Sequence, residues 1–370
     1  MAKRRIMCVV GTRPEAIKMA PVICALKNEA WAEVRVLATA QHREMLDQVL
    51  EIFGIEPDVD LNIMQTNQAL TALTGRLMLK LEDVIQAEKP EFILAQGDTT
   101  TVMTVALACF YHHIPFGHVE AGLRTGDLQN PFPEEANRVI AGRLARWHFA
   151  PTVTASANLL AEGVPESEIV VTGNTVIDAL FMIGKDGIEQ APALDPDKRL
   201  VLVTAHRREN FGAPFRDICR ALRHLADSNQ DVQLLYPLHP NPNVSDVARE
   251  MLSDCPNIVM CDPLDYGAFV AAMRRAYLII SDSGGVQEEA PALAKPVLVL
   301  RDETERPEAV ELGVVRLVGT NYEKIVEEAQ RLLDDKQAYE EMALGVSPYG
   351  DGRAAERIVN VLREFFSACS

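Results

Sequence analysis

Short apolar runs alternate with longer amphipathic ones along most of this chain, and that alternation constrains the fold more than any other feature. Residues 5–10, 34–40, 92–97, 116–120, 147–150 and 169–173 read as buried strands. Between them, 41–53, 70–87, 100–111, 133–146 and 152–161 carry helical spacing. A βαβα order of this kind predicts a parallel, doubly wound sheet with helices on both faces. The pattern pauses at 187–199, where Pro192, Pro196 and several charges predict a linker or surface loop. It restarts with apolar runs at 200–204, 232–237, 258–261, 278–281 and 297–300. Residues 320–344 read as largely helical, and 350–366 as a final helix after a Pro/Gly break. At 370 residues, 48% of them hydrophobic, the chain suits two cores better than one. The expected fold class is α/β, with two similar doubly wound halves and a cleft between them.

Ligands of such sheets gather at the C-terminal ends of strands, so polar residues just past strand ends carry the functional reading. The first run breaks into Gly11-Thr12-Arg13-Pro14-Glu15-Ala16-Ile17-Lys18. Pro14 suits a first helical turn. The free N–H groups of that turn favour an anion, and Arg13 adds a planar cation matched to phosphate. Taken alone, the segment also fits an ordinary turn with a solvated arginine. Asp98 and Glu120 follow neighbouring strands, and Glu134 opens a helix at Phe132-Pro133-Glu134. Carboxylates sharing a dry cleft acquire separated pKa values and make acid–base pairs. Helix N-terminal charge is the plain alternative for Asp98 and Glu134. Glu120, at the end of a buried strand, requires a partner. In the second half, His206-Arg207-Arg208 forms a cationic cluster at a strand end, with Glu209 as its plain partner. Ser283-Gly284-Gly285 opens a helix where small residues let N–H groups approach a phosphate, although an ordinary N-cap serine fits as well. Glu289 follows on that helix, able to accept both hydroxyls of a ribose diol or simply to be solvated.

Charge and absences exclude several classes. Lys and Arg number 36 against 53 Asp and Glu, a formal charge of −17. That argues against nucleic acid and anionic membranes, so any phosphate site is a focused pocket. No apolar run has signal-peptide or membrane-spanning length. The seven cysteines are scattered without a C-x-x-C pair, which fits reduced thiols in the cytoplasm and no zinc site. G-x-G-x-x-G after the first strand, G-x-x-x-x-G-K-[ST], H-E-x-x-H and G-x-S-x-G are all missing. No metal and no cofactor are expected.

Ten landmarks in order resemble the non-hydrolysing UDP-N-acetylglucosamine 2-epimerases: GTRPEAIKMAP (11–21), AQHREMLDQVL (40–50), QGDTTTV (96–102), HVEAGLRTGD (118–127), FPEEANR (132–138), TGNTVID (172–178), HRRENFG (206–212), PLHPNP (237–242), SDSGGVQEEA (281–290) and ETERPEA (303–309). The resemblance implies a glycosyltransferase-B-like architecture of two Rossmann-like doubly wound domains facing a cleft, a homodimer, and interconversion of UDP-GlcNAc and UDP-ManNAc without nicotinamide. The expected bounds are 1–176 for the domain with the catalytic carboxylates and 177–353 for the UDP-binding domain. Helix 354–370 is expected to pack back on the first. The resemblance places Asp98, Glu120 and Glu134 as catalytic acids, with Lys18, Arg138 and His206 beside them. It places Arg13, His206, Ser283, Gly284, Gly285, Glu289 and Arg306 on the nucleotide.

The chemistry agrees with that set. The sugar's C2 proton has no neighbouring carbonyl, so without NAD the remaining route is loss of UDP from C1 as a base removes H2. Re-addition of UDP to the resulting 2-acetamidoglucal, with protonation from the opposite face, gives the epimer. Such an enzyme supplies ManNAc-type sugars for surface polysaccharide. The rivals are a hydrolysing 2-epimerase that releases ManNAc, a UDP-sugar glycosyltransferase, and a non-catalytic UDP-sugar sensor; the carboxylate set argues against the last two. The resemblance also implies a second, regulatory UDP-GlcNAc site at Gln41, His42, Arg43, Glu135, Arg207 and His239. Asn67 stands where regulated members carry an arginine, which predicts weak activation.

Overall fold

The first apolar run becomes β1 (Arg4–Val10), buried from Ile6 onward because helices cover both faces of its sheet. A computed structural model of the chain describes residues 3–39, 43–63, 68–184, 194–304 and 306–368. It divides into two compact units, Met1–Met182 with Tyr349–Ser370, and Ile183–Pro348.

In the first unit, β1 leads to α1 (Arg13–Lys27), β2 (Ala32–Ala38), α2 (Arg43–Ile52) and β3 (Val59–Asp60). Then follow α3 (Leu70–Glu88), β4 (Phe92–Gln96), α4 (Thr100–Tyr111), β5 (Phe116–Val119) and α5 (Glu134–Leu144). β6 (Trp147–Ala150), α6 (Val153–Ala161), β7 (Ile169–Val171) and α7 (Thr175–Met182) complete the run. The strand order is β3-β2-β1-β4-β5-β6-β7, parallel throughout. The chain winds from β1 toward β3, then restarts on the other side at β4. The gap between the C-terminal ends of β1 and β4 is therefore the switch point, where an α/β sheet offers a ligand crevice.

The second unit repeats this logic. Its elements are β8 (Arg199–Thr204), α8 (Ala213–Ser228), β9 (Val232–Pro237), α9 (Pro242–Leu252), β10 (Ile258–Cys261), α10 (Tyr266–Arg275), β11 (Leu278–Ser281), α11 (Gly284–Ala292), β12 (Val297–Val299), α12 (Pro307–Glu311), β13 (Val315–Leu317), α13 (Tyr322–Asp334) and α14 (Lys336–Met342). Parallel strands run β10-β9-β8-β11-β12-β13, so the switch point lies between β8 and β11. Val201, Val203, Leu234 and Ile280 pack against α8, α9 and α13 through Leu222, Leu225, Val244 and Ile325 in one continuous core.

The last helix, α15 (Ala354–Ala368), belongs to the first unit and packs on α1 and α7. Buried Asp178 accepts the Ala355 and Ala354 N–H groups at 2.8 and 3.2 Å, closing two donors of its first turn. Phe365 and Phe366 then meet Phe92 and Trp31, with ring centroids between 5.7 and 6.3 Å apart.

Differences from expectation are local. The predicted strand 34–40 sits two residues earlier, as β2. The helical run 320–344 is broken at Asp335, whose side chain accepts the Gln337 and Ala338 N–H groups and starts α14. β3 and β13, two and three residues long, are too short for an alternating signal. Most of the predicted linker 187–199 lies outside the described residues. Among the described residues, no helix is long and apolar enough to cross a membrane, and no cluster of His, Cys, Asp and Glu could hold a metal ion.

Candidate active site

In the first unit, β1 delivers Gly11 and Thr12 to the start of α1 at the switch point. Thr12 and Glu15 cap the helix reciprocally: the Glu15 N–H donates to Thr12 Oγ1 at 3.4 Å, and Glu15 Oε2 accepts from the Thr12 and Gly11 N–H groups at 2.8 and 2.6 Å. The other oxygen, Oε1, accepts the Thr99 hydroxyl at 2.6 Å. One buried carboxylate thus ties the turn after β1 to the turn after β4. Only glycine fits at position 11, since a Cβ there would lie 2.6 Å from Thr39 Oγ1. Burial pushes the Glu15 carboxyl up from 4.5 to about 7, against the three donated bonds, and the Asp98 carboxylate adds to the rise. Arg13, the first helical residue, is half-buried and unpaired among the described residues.

Lys18, on the same helix, reaches the end of β5. Its Nζ lies 2.5 Å from Glu120 Oε2, with the side chains only 12% and 10% exposed. Glu120 therefore has the partner its position demands. Its backbone is left-handed, φ 62°, a region that a non-glycine residue occupies at a cost and that recurs at functional sites. Asp98 Oδ2 accepts from Arg138 Nε at 2.9 Å and lies 2.7 Å from Arg138 Nη2, while the Asn137 amide holds the Asp98 carbonyl at 2.9 Å. Glu134 opens α5 one turn before Arg138 and is half-buried. His118, two residues before Glu120, is buried, with its Nε2 2.7 Å from the Gly97 carbonyl. A carbonyl only accepts, so that nitrogen carries the proton. Burial pushes His118, and His148 beside it on β6, down to about 4.

Glu135 is buried as a brace. Its oxygens accept the Thr125 and Gly126 N–H groups at 3.0 and 3.1 Å and Arg138 Nη1 at 2.7 Å. Burial alone would raise its carboxyl, but these bonds hold it below the usual carboxylate range. Of the other residues expected at a regulatory site, Gln41, His42 and Asn67 lie outside the described residues. Arg43 begins α2, with its side chain likewise outside them.

In the second unit the hub is Asp282, fully buried after β11. Its Oδ2 accepts the His206 and Arg207 N–H groups, both at 2.8 Å, and the Asn210 amide at 3.2 Å. Arg207 Nε donates to the Asp282 carbonyl at 3.1 Å. The turn after β8 is thereby fastened to the end of β11 across the switch point. His206 stacks on His239 with centroids 5.4 Å apart and planes 7° apart. Burial and the neighbouring His206 lower the His239 pKa. Glu209, the expected partner of the cationic cluster, faces Arg301 at 3.3 Å instead.

Ser283 occupies the N-cap of α11, yet its side chain makes no cap bond. The ordinary N-cap reading of this serine therefore fails. Arg306 lies against the same turn: a Cβ on Gly284 would stand 2.7 Å from its Nη1. Glu288, buried, holds the Arg306 Nε at 2.7 Å. Glu289 is not solvated. It is 6% exposed and accepts the Tyr266 hydroxyl on Oε1 at 2.8 Å.

Sequence reasoning missed the braces: Glu15, Asp282, Glu288, Tyr266 and His118. Only Glu15 had a readable signal, the Thr12-x-x-Glu15 spacing of a capping box.

With this geometry in place, a sequence profile of the family described as UDP-N-acetylglucosamine 2-epimerase matches residues 24–363. The chain belongs to that family. The UDP-N-acetylglucosamine 2-epimerase of Escherichia coli strain K12 is 52% identical over 370 residues, covering 97% of this chain and 98% of the relative. The crystal structure of the Neisseria meningitidis UDP-GlcNAc 2-epimerase bound to UDP-GlcNAc superposes with a TM-score of 0.89 at 47% identity, covering 97% of this chain and 100% of that one. The glycotransferase of kitacinnamycin, at 14% identity and a TM-score of 0.67, shares the fold alone, over 97% of this chain and 99% of its own. Family membership and the paired doubly wound sheets agree with the resemblance carried by the ten landmarks.

Proposed function

We propose that this chain interconverts UDP-GlcNAc and UDP-ManNAc as a non-hydrolysing 2-epimerase, without nicotinamide. The observation that carries the reading is the set of carboxylates in the first unit, two of them at strand ends and meeting cations: Glu120 with Lys18 at 2.5 Å and Asp98 with Arg138 at 2.7 Å. Nucleotide binding alone needs no such set. The carboxylates Asp98, Glu120 and Glu134 exchange the C2 proton. As H2 leaves, its electron pair forms the C1=C2 bond of 2-acetamidoglucal and the C1–O pair departs with UDP. Arg13, His206 and Arg306 balance charge growing on the departing diphosphate. Ser283, Gly284 and Gly285 receive phosphate oxygens at the start of α11, and Glu289 receives the ribose diol. Re-addition of UDP and delivery of a proton to the opposite face of C2 restore neutrality and give the epimer.

The Neisseria meningitidis relative was solved with UDP-GlcNAc bound, which supports the substrate. The proposal extends to a homodimer in the cytoplasm that supplies ManNAc-type sugars for surface polysaccharide. Leu79, Phe110, Tyr111 and Ile140, exposed on the neighbouring helices α3, α4 and α5, support a partner of the same kind.

The decisive test is a proton NMR time course of UDP-GlcNAc in D2O with the purified protein and no added NAD. UDP-ManNAc carrying deuterium at C2 is expected. Free ManNAc as the first product would make the enzyme a hydrolysing one. Retention of the original hydrogen would refute elimination.

A further inference from the structure

Tyr266 is the first residue of α10, and its place is set by the helix start. Asp265 caps that helix, its Oδ1 accepting the Ala268 N–H at 2.7 Å. The ring of Tyr266 is buried at 4% exposure, and its hydroxyl donates to Glu289 Oε1 at 2.8 Å. Glu289 lies on α11 and is folded back along it. A Cβ on Gly285 would stand 3.8 Å from Glu289 Oε2 and 3.9 Å from Ser283 Oγ. The glutamate carboxylate and the serine hydroxyl therefore flank the same bare patch of helix.

We infer that Tyr266 is a positioning residue for nucleotide selection, acting on the ribose hydroxyls through Glu289. The inference rests on the proposed role of Glu289 as the ribose acceptor. A glutamate side chain has three rotatable bonds, and only some of its arrangements present the carboxylate to a diol. A charge-assisted bond to one oxygen removes much of that freedom before the nucleotide arrives. It does not block the acceptor, because each carboxylate oxygen offers two lone-pair directions. The tyrosine itself comes from a buried, capped helix start, so the orientation is inherited from the fold and not from the ligand.

The test measures binding of UDP and of 2′,3′-dideoxy-UDP by calorimetric titration to the full-length protein, its Tyr266→Phe variant, its Glu289→Ala variant and the double variant. Phenylalanine keeps the ring and removes one oxygen. UDP binding to Tyr266→Phe should weaken by about fivefold to tenfold, the scale of one typical net hydrogen bond. Dideoxy-UDP, which has no diol to offer, should bind Tyr266→Phe as it binds the parent protein. In the Glu289→Ala background, Tyr266→Phe should change UDP binding by less than twofold. Equal weakening of both nucleotides by Tyr266→Phe, or no weakening of UDP, overturns the inference. An independent loss in the double variant overturns it too, and leaves the ribose role of Glu289 intact. If Glu289→Ala weakens UDP and dideoxy-UDP alike, the ribose role itself fails, and the inference fails with it.

Discussion

Glu15→Gln isolates a contest between burial and hydrogen bonding at the heart of the first unit. The carboxylate of Glu15 receives three donated bonds, from Gly11 N–H, Thr12 N–H and the Thr99 hydroxyl. Donated bonds favour the anion; burial, 3% exposure here, disfavours it. Burial prevails, with the carboxyl raised from 4.5 to about 7. A raised carboxyl adds stability that is complete below the unfolded value of 4.5 and lost as pH climbs through the folded value. At about 1.36 kcal/mol per pH unit, the loss totals about 3 kcal/mol, of which roughly 2 kcal/mol falls between pH 5.5 and 8.5. Glutamine copies the neutral acid. Its carbonyl can accept both N–H groups, and its amide can donate to Thr99 Oγ1, since a hydroxyl accepts as well as donates. It does not titrate. The variant should therefore gain on the parent protein as pH rises, by roughly 4–8 °C in thermal midpoint for a unit of this size. Scanning calorimetry of both proteins at pH 5.5 and 8.5 measures the change. A midpoint difference that is constant with pH, or that moves in favour of the parent, would show that the three donors outweigh burial.

Three further outcomes follow from the same geometry. Asp98→Asn, Glu120→Gln and Glu134→Gln should each lower turnover by about 10²–10⁴-fold while UDP still binds by calorimetry; near-normal turnover in all three would place the chemistry elsewhere. His118 and His148, pushed from 6.5 to about 4, lend stability that is complete above pH 6.5 and lost toward pH 4, up to about 3 kcal/mol each. His148→Phe should flatten the acid side of the thermal-midpoint curve, and an unchanged curve would show that His148 does not titrate there. Gly284→Ala puts a methyl 2.7 Å from Arg306 Nη1, so it should displace the guanidinium and weaken UDP binding; unaltered affinity would remove Arg306 from the nucleotide site.

Most of the fold was readable because both sheets are parallel and covered on both faces. Phe92–Gln96 and Leu278–Ser281 are buried at every position, which leaves a short, continuous apolar run in the sequence. Edge strands escape this logic. β3 has two residues, and its ladder with β2 needs only Val59 and Asp60. The candidate site was readable where chemistry forces an unusual residue to a strand end, as with Glu120 after the buried Phe116–Val119. It was unreadable where a residue's meaning depends on a distant partner. Ser283 looks like an N-cap and does not cap. Glu289 looks like a surface glutamate until Tyr266, 23 positions earlier, is seen to donate to it.

The two sheets answer one physical demand with different residues. Each switch point needs a turn after its first strand whose N–H groups, pulled out of the ladder, must find acceptors. In the first unit the acceptor comes from the helix that follows: Glu15 bends back to Gly11 and Thr12, then crosses to Thr99 beyond β4. In the second it comes from across the switch point: Asp282, after β11, takes the N–H groups of His206 and Arg207 beyond β8. Both solutions bury a carboxylate and make it bridge two strand ends. Both also leave side chains of the turn turned away from the buried acid, the half-buried Arg13 in one case and the exposed His206 ring in the other. The residues that look functional in the sequence are thus held in place by acids that look ordinary. Removing the acceptor altogether, as Glu15→Ala or Asp282→Ala would, should weaken UDP binding in a calorimetric titration; unchanged affinity in both variants would show that neither turn depends on its buried acid.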